Sequence, residues 1–423
     1  MTAGQVSGPP FLVSQPAEKS VTDTVASAQD PRRSPVLSDL KAEAHRLIAS
    51  GKLVTAVAVL RTATTLAPSD LSLWLNLAGV QRASGDIPSA LASVDAALVI
   101  DPKAFLALLM KGSLLERSGQ VRAAAVQYGR ALAQAPPGAR IDAATDAALH
   151  HARQVCERHR AELGRYIRAD LGSCLTAANG LEKRRIDQFI DATLGIRRTY
   201  HQQPTDFCYP GLPAIEFHER TDFPWLGDLE AETVNIRSEL SGMIEETAEF
   251  SPYINYPDGV PLDQWADLNR SPRWSACHLL YQGRRQEEHA ARCPKTMSVL
   301  AELPQPYAQG RMPAAMFSLL RPRTRIPPHT GVANVRLVVH LPLIVPAGCG
   351  FRVGNETREW REAEAWVFDD TIEHEAWNDS HRDRYVLIFD IWNPRLSAAE
   401  REMISAVMAA MDRYQGTSAE SSL

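Results

Sequence analysis

The sequence has little cysteine, and what it has is scattered. The six residues Cys156, Cys174, Cys208, Cys277, Cys293 and Cys349 contain no C-x-x-C pair, too sparse for a disulfide framework and wrongly spaced for a zinc finger, so reduced thiols are expected. No stretch reaches the roughly 18 consecutive apolar residues of a membrane span. The first thirty-odd residues also lack the cation-led apolar core of a secretory signal, and the expectation is a soluble, cytoplasmic protein. A basic excess is missing too: Lys plus Arg is 45 against Asp plus Glu at 50, a formal net charge of -5, which removes nucleic acid from the expected partners. At 423 residues the chain exceeds the roughly 150 residues of one domain, so at least two folding units are expected.

Residues 1–36 are rich in Ser, Thr, Pro, Gly and Ala without hydrophobic periodicity, a composition that cannot offset chain entropy by burial, and a disordered tail is expected. From 37 to 137 a period of 34 residues takes over: Gly51, Gly85 and Gly119; Ala56, Ala90 and Ala124; Ala63, Ala97 and Ala131; Pro68, Pro102 and Pro136; and Ala44, Ala78 and Gly112. Small residues where helices cross, Gly at the turn and Pro after the second helix resemble the tetratricopeptide repeat. Such helix pairs bury their apolar stripes only by stacking, which leaves a concave face suited to docking a protein or peptide, with a spacer role as the competing reading.

Residues 138–204 read as a helical cap and linker. From 205 to 412 the character is mainly β: VRLVVHLPLIV (335–345), FRV and ETREW around Gly354-Asn355, EAWVF (364–368) and RYVLIFDIW (384–392) are β-branched or aromatic runs separated by turn residues, as in a sandwich or jelly roll. Residues 413–423 are expected to be a flexible C-terminal tail. Among twelve histidines, His329 precedes the strand at 335 and His374 lies between strands; two neutral imidazoles at strand ends suit a divalent metal.

The segment Ser318–Pro394, with FSLLRPRTRIPPHTG, NVRLVVHLPLIVP, GNET, FDD-x-x-EHEAWND and DIWNP, closely resembles the aspartyl/asparaginyl β-hydroxylase family. Weaker similarity starts at FCYPGLP and runs through RWSACHLLYQGRR and CPKTMSVLAELP. The resemblance implies a double-stranded β-helix of jelly-roll, cupin-like type with flanking helices, behind an all-α repeat solenoid. It implies a dioxygenase that uses Fe(II), 2-oxoglutarate and O2, with His329 and His374 as iron ligands. Ser318 and Arg384 would hold the distal carboxylate of 2-oxoglutarate, and His340 its iron-side end. Arg336 and Arg270 would face the prime substrate, although the match at Arg270 needs a one-residue shift and favours a surface ion pair there.

Two departures stand out. The family usually has a second arginine where this chain has Val338, and an animal cysteine pair is reduced to Cys293. Gly331, two after His329, leaves no third protein ligand, as in the aspartyl hydroxylases and also in iron halogenases; Asp370 is expected to hold water at that position, or with Asp369 to cap a turn. Trp274 and Trp377 fit buried packing. Three functions follow as expectations: hydroxylation of an Asp or Asn side chain in a protein, hydroxylation of a small molecule or lipid acyl chain, or an adaptor with a silent oxygenase domain.

Overall fold

The repeat register translates directly into helix pairs. The computed structural model describes residues 33–135, 142–245 and 250–415 and divides into two compact units, one ending at Asn179 and the other starting at Gly180. Of the expected tails, residues 1–32 and 416–423 lie outside the described residues, as does Pro136 of the proline column. Residues 33–36 instead open the first helix and 413–415 close the last.

In the first unit α1 (Arg33–Ala49) and α2 (Leu53–Leu66), α3 (Leu71–Ala83) and α4 (Ile87–Ile100), and α5 (Phe105–Arg117) and α6 (Val121–Gln134) form three hairpins. Gly51, Gly85 and Gly119 turn each pair at φ 72°, 85° and 78°, a left-handed conformation that only glycine adopts without strain. Asp70 and Asp86 cap α3 and α4 by accepting from Leu73 N and Ser89 N, satisfying orphan helix donors. The alanine columns, Ala56, Ala90 and Ala124 with Ala63, Ala97 and Ala131, are wholly buried where the helices cross. The last pair is covered by α7 (Ala143–Asp170), whose Leu149, Ala152, Val155 and Cys156 join Leu108 and Tyr128 in one cluster. The short helix α8 (Gly172–Ala177) ends the unit.

Among the described glycines of the solenoid, Gly112 has the least room for a side chain. A Cβ there would stand 2.5 Å from the Tyr128 ring, and Tyr128 cannot swing aside freely because its hydroxyl donates to Glu116 at 2.8 Å. Gly112→Ala is therefore expected to overpack the α5/α6 crossing and to lower the urea stability of the repeat unit by about 1–3 kcal/mol. An unchanged midpoint would show that the ring is free to move.

The second unit opens with α9 (Gly180–Thr193), α10 (Leu226–Ala231) and α11 (Thr233–Glu245), and then becomes mainly β. Its strands and remaining helices are β1 (Ser251–Pro252), β2 (Trp274–Tyr281), β3 (Arg284–Arg285), α12 (Glu287–Ala290), α13 (Pro294–Ala301), β4 (Ala315–Leu320), β5 (Thr324–His329), β6 (Arg336–Ile344), β7 (Cys349–Val353), β8 (Glu356–Glu359), β9 (Trp366–Phe368), β10 (His374–Asn378), β11 (Arg384–Trp392) and α14 (Ala398–Gln415). A larger antiparallel sheet runs β1-β2-β4-β11-β6-β9 with β3 beside β2, and a smaller one runs β5-β10-β7-β8. The expected order, an all-α repeat solenoid and then a mainly-β domain with flanking helices, is what the chain adopts.

Strand alternation divides the larger sheet into two faces. Phe317, Leu319, Leu337, Val339, Leu341, Leu387, Phe389 and Ile391 pack with α10, α11 and α13 residues in one apolar core. The opposite face shares a second core with the smaller sheet, in which Leu320, Val338 and Val386 meet Ile326, Phe351, Val353 and Ala376. Ser318, His340 and Arg384 have the strand parity of this second face, so the polar residues singled out in the sequence lie between the sheets. None of the described helices is long and apolar enough to cross a membrane.

Candidate active site

His329 and His374 are both strand residues, which corrects the expectation that His374 lies in a connection: it begins β10, and β10 pairs antiparallel with β5 so that His374 stands opposite His329. Thr324 and Ile326 are buried on β5, so strict alternation would turn Pro328 inward and His329 outward. A register shift between His374 and Ala376 absorbs one extra residue of β5, and such a bulge re-aims the chain, turning His329 to the inner side. The two rings come to 4.1 Å between centroids.

Each imidazole is held in one tautomer. His329 Nδ1–H donates to the Pro327 carbonyl at 2.8 Å and His374 Nδ1–H to the Ile372 carbonyl at 3.0 Å; a carbonyl only accepts, so each Nε2 keeps its lone pair. Burial, with His374 nearby, pushes His329 down to about 3, and burial pushes His374 down to about 4, so both rings are neutral at physiological pH. Two neutral imidazoles with free Nε2 atoms fit a divalent transition metal. No cluster of three or more His, Cys, Asp or Glu able to hold a metal occurs among the described residues. A metal held here would have these two histidines as its protein donors and would keep its other positions for water or small molecules.

Near the pair lies a buried cation, Arg384. Arg384 is 1% exposed and has no carboxylate partner among the described residues; its guanidinium donates to Ser318 Oγ at 3.3 Å, and its Nε has no acceptor. Burial lowers its pKa to about 10, the signature of a cation short of a counter-ion. His340, buried beside it, likewise has an unpartnered Nδ1, and burial with the nearby charge of Arg384 drives its pKa well down. Phe351 and Phe368 each touch both His340 and His374, so His340 stands between the arginine and the histidine pair. These orphaned groups are of the kind that a carboxylate would satisfy.

Arg336 does not stand free toward a substrate, contrary to the expectation. It is ion-paired with Asp370 at 2.9 Å and with Asp390 at 3.1 Å, all three largely buried. Burial alone would lower its pKa, and the two carboxylates outweigh that and raise it. Asp370 leaves its Oδ1 without a partner, an acceptor suited to the water expected at the vacant position. A Cβ on Gly331 would stand 2.0 Å from Asp370 Oδ2: the Asp370 carboxylate fills the space that a side chain at 331 would need. Gly331→Ala is therefore expected to cost about 1–3 kcal/mol by overpacking. Its cost should largely vanish in an Asp370→Ala background, read by urea unfolding as a double-mutant cycle; simple additivity would contradict the contact. Asp369, pushed up to about 6 by burial, accepts from Thr371 and Gln202, which is the turn role expected of it.

Arg270 is not brought into this cluster. It forms an exposed ion pair with Asp258 at 2.9 Å, at a positive φ of 55°, which is the surface reading favoured for it and not the substrate contact. Trp377 packs against Gly350 and Arg325. Trp274 flanks His329 together with Trp265, whose ring meets His329 edge-on at 5.1 Å. Trp265 went unread in the sequence, since its short 3-10 turn, Asp263–Trp265, has no periodic signal. Asp390 was missed too, although a charge on an apolar strand in phase with Arg384 is a readable one.

Residues 230–394 match the family described as Aspartyl/Asparaginyl beta-hydroxylase, and residues 41–105 and 80–140 match the tetratricopeptide repeat. The chain is 37% identical over 150 residues to the aspartyl/asparaginyl beta-hydroxylase of Homo sapiens, a stretch covering 35% of this chain and 20% of that protein. It is 31% identical over 192 residues to the ornithine lipid ester-linked acyl 2-hydroxylase of Rhizobium tropici, covering 45% and 64%. Both matches span less than two thirds of the relative. Among solved structures, the Yersinia enterocolitica type III secretion chaperone SycD in complex with a peptide of the translocator YopD aligns over 31% of this chain and 98% of its own, at 19% identity and a TM-score of 0.29. The chain thus carries a domain that matches the aspartyl/asparaginyl β-hydroxylase family model, preceded by tetratricopeptide repeats.

Proposed function

We propose that the protein is an Fe(II)- and 2-oxoglutarate-dependent dioxygenase that hydroxylates the β-carbon of an Asp or Asn side chain in a protein or peptide. The observation that carries the reading is the buried Arg384, without a carboxylate partner among the described residues, between the same two sheets as two histidines whose Nδ1–H groups are committed to carbonyls. Bound Fe(II) and 2-oxoglutarate would supply the activation of O2, one oxygen atom ending in succinate, with release of CO2, and the other in the product hydroxyl. His329 and His374 would hold the metal, and their backbone carbonyl partners fix the ring orientation. Arg384 and Ser318 would hold the distal carboxylate, and His340 would contact the other end. Trp265 and Trp274 flank His329 and would exclude water from the reacting centre. The repeats would dock the target or a partner, raising its local concentration.

A silent adaptor fits the site poorly, because a buried cation with no partner is a standing cost that a ligand-binding role explains. A second reading, an uncharged substrate such as a lipid acyl chain, draws support from Arg336 and Val338: the one arginine of β6 is already neutralised by Asp370 and Asp390, and its neighbour on the inner face is apolar. The Rhizobium tropici relative, an acyl 2-hydroxylase by name, is in line with that reading. The test is to supply Fe(II), 2-oxoglutarate and O2 with Asp- and Asn-containing peptides or with acyl lipids, and to follow succinate and the gain of one oxygen atom by mass spectrometry. Succinate release stimulated by peptide, with the peptide hydroxylated, supports the first reading; stimulation by acyl lipid alone moves the assignment to the second.

A further inference from the structure

Trp360 follows β8 and is 9% exposed, yet its indole Nε1–H has no partner among the described residues. Its ring stacks on His340 at 5.4 Å and an interplanar angle of 15°, and the Arg384 guanidinium lies 5.2 Å from its centroid. Among the described residues, one small region therefore holds four buried groups with an unpartnered nitrogen: Arg384 Nε, His340 Nδ1 and Trp360 Nε1, grouped around the arginine, and Trp366 Nε1, whose ring meets that of Trp360. Nearly all buried donors in folded proteins are satisfied, so orphans gathered around one cation point to a ligand that accepts from them. An indole nitrogen only donates, which makes that ligand an acceptor and, beside Arg384, an anion.

We infer that Trp360 is a cosubstrate-binding residue: its indole N–H donates to the carboxylate that Arg384 binds, and its ring face holds the guanidinium in place by a cation–π contact. This rests on the 2-oxoglutarate reading of the site and adds a residue to it. Trp366 is the internal control. Its Nε1 is also buried and unpartnered, and its ring lies 4.6 Å from Trp360, but no cation–π contact joins it to Arg384 among the described residues.

The test uses the full chain loaded with Fe(II) under anaerobic conditions and titrated with 2-oxoglutarate, followed by indole fluorescence and calorimetry. Trp360→Phe keeps the ring and removes the N–H. It is expected to raise the 2-oxoglutarate Kd about ten-fold, as loss of a hydrogen bond to a charged group does, to raise KM in step, to leave kcat within about two-fold, and to remove most of the fluorescence change. Trp366→Phe is expected to bind as the wild type does. Trp360→Tyr, which restores a ring-borne donor, should fall between wild type and Trp360→Phe and keeps the test open should the phenylalanine variant fail to fold. Wild-type affinity in Trp360→Phe, or equal weakening in Trp366→Phe, would overturn the assignment while leaving the 2-oxoglutarate reading intact. Absence of 2-oxoglutarate binding by the wild type would overturn both.

Discussion

His374→Ala is expected to abolish iron binding and iron-dependent 2-oxoglutarate turnover together. With only two histidines in the donor set, no other protein group can take over, and a single remaining imidazole holds a divalent ion weakly. His374 opens β10 and its Nδ1–H donates to the Ile372 carbonyl, a local contact, so the variant should fold, with a modest cost from the lost ring. Metal should raise the melting temperature of the wild type by mass action and leave that of the variant unmoved. Succinate production by His374→Ala at the wild-type rate would remove the histidine pair from the chemistry.

Arg384→Met should separate binding from stability. Truncating one side of a buried charged contact costs about 2–5 kcal/mol of affinity, so the requirement for 2-oxoglutarate should rise by orders of magnitude. Stability of the cosubstrate-free protein should move the other way or stay level. Arg384 is fully buried with a hydroxyl and an aromatic face but no carboxylate among the described residues, and replacing a poorly compensated buried charge by an apolar chain of similar length is neutral or stabilising. Equilibrium titration and urea unfolding of the same variant read the two effects. A strong loss of stability with unchanged affinity would show that the guanidinium is a structural brace and not an anion site.

The repeat unit was legible almost in full because its contacts are local: each glycine, alanine and proline column marks a turn, a crossing or an exit within one 34-residue period. The strands β6, β7, β8, β9 and β11 were also readable as β-branched or aromatic runs. Strand β10 was not, since His-Glu-Ala-Trp-Asn has one short apolar residue on the inner face and takes its partners from β5 and β7. Of the site, Ser318, His340 and Arg384 follow from strand parity and family resemblance. The pairing of Arg336 with Asp370 and Asp390 does not, because it joins β6 to a loop 34 residues on and to β11, and no local pattern reports such distances. Nor does the role of Gly331, whose missing side chain makes room for Asp370.

The most direct test of the central claim is an anaerobic titration of the iron-loaded protein with 2-oxoglutarate, followed by admission of O2 and a count of the succinate formed. The expected result is saturable binding of one 2-oxoglutarate per chain that requires both His374 and Arg384, with succinate appearing only after O2 is admitted. Binding that survives both Arg384→Met and the removal of iron, or the absence of any succinate from a saturated wild-type protein, would contradict it.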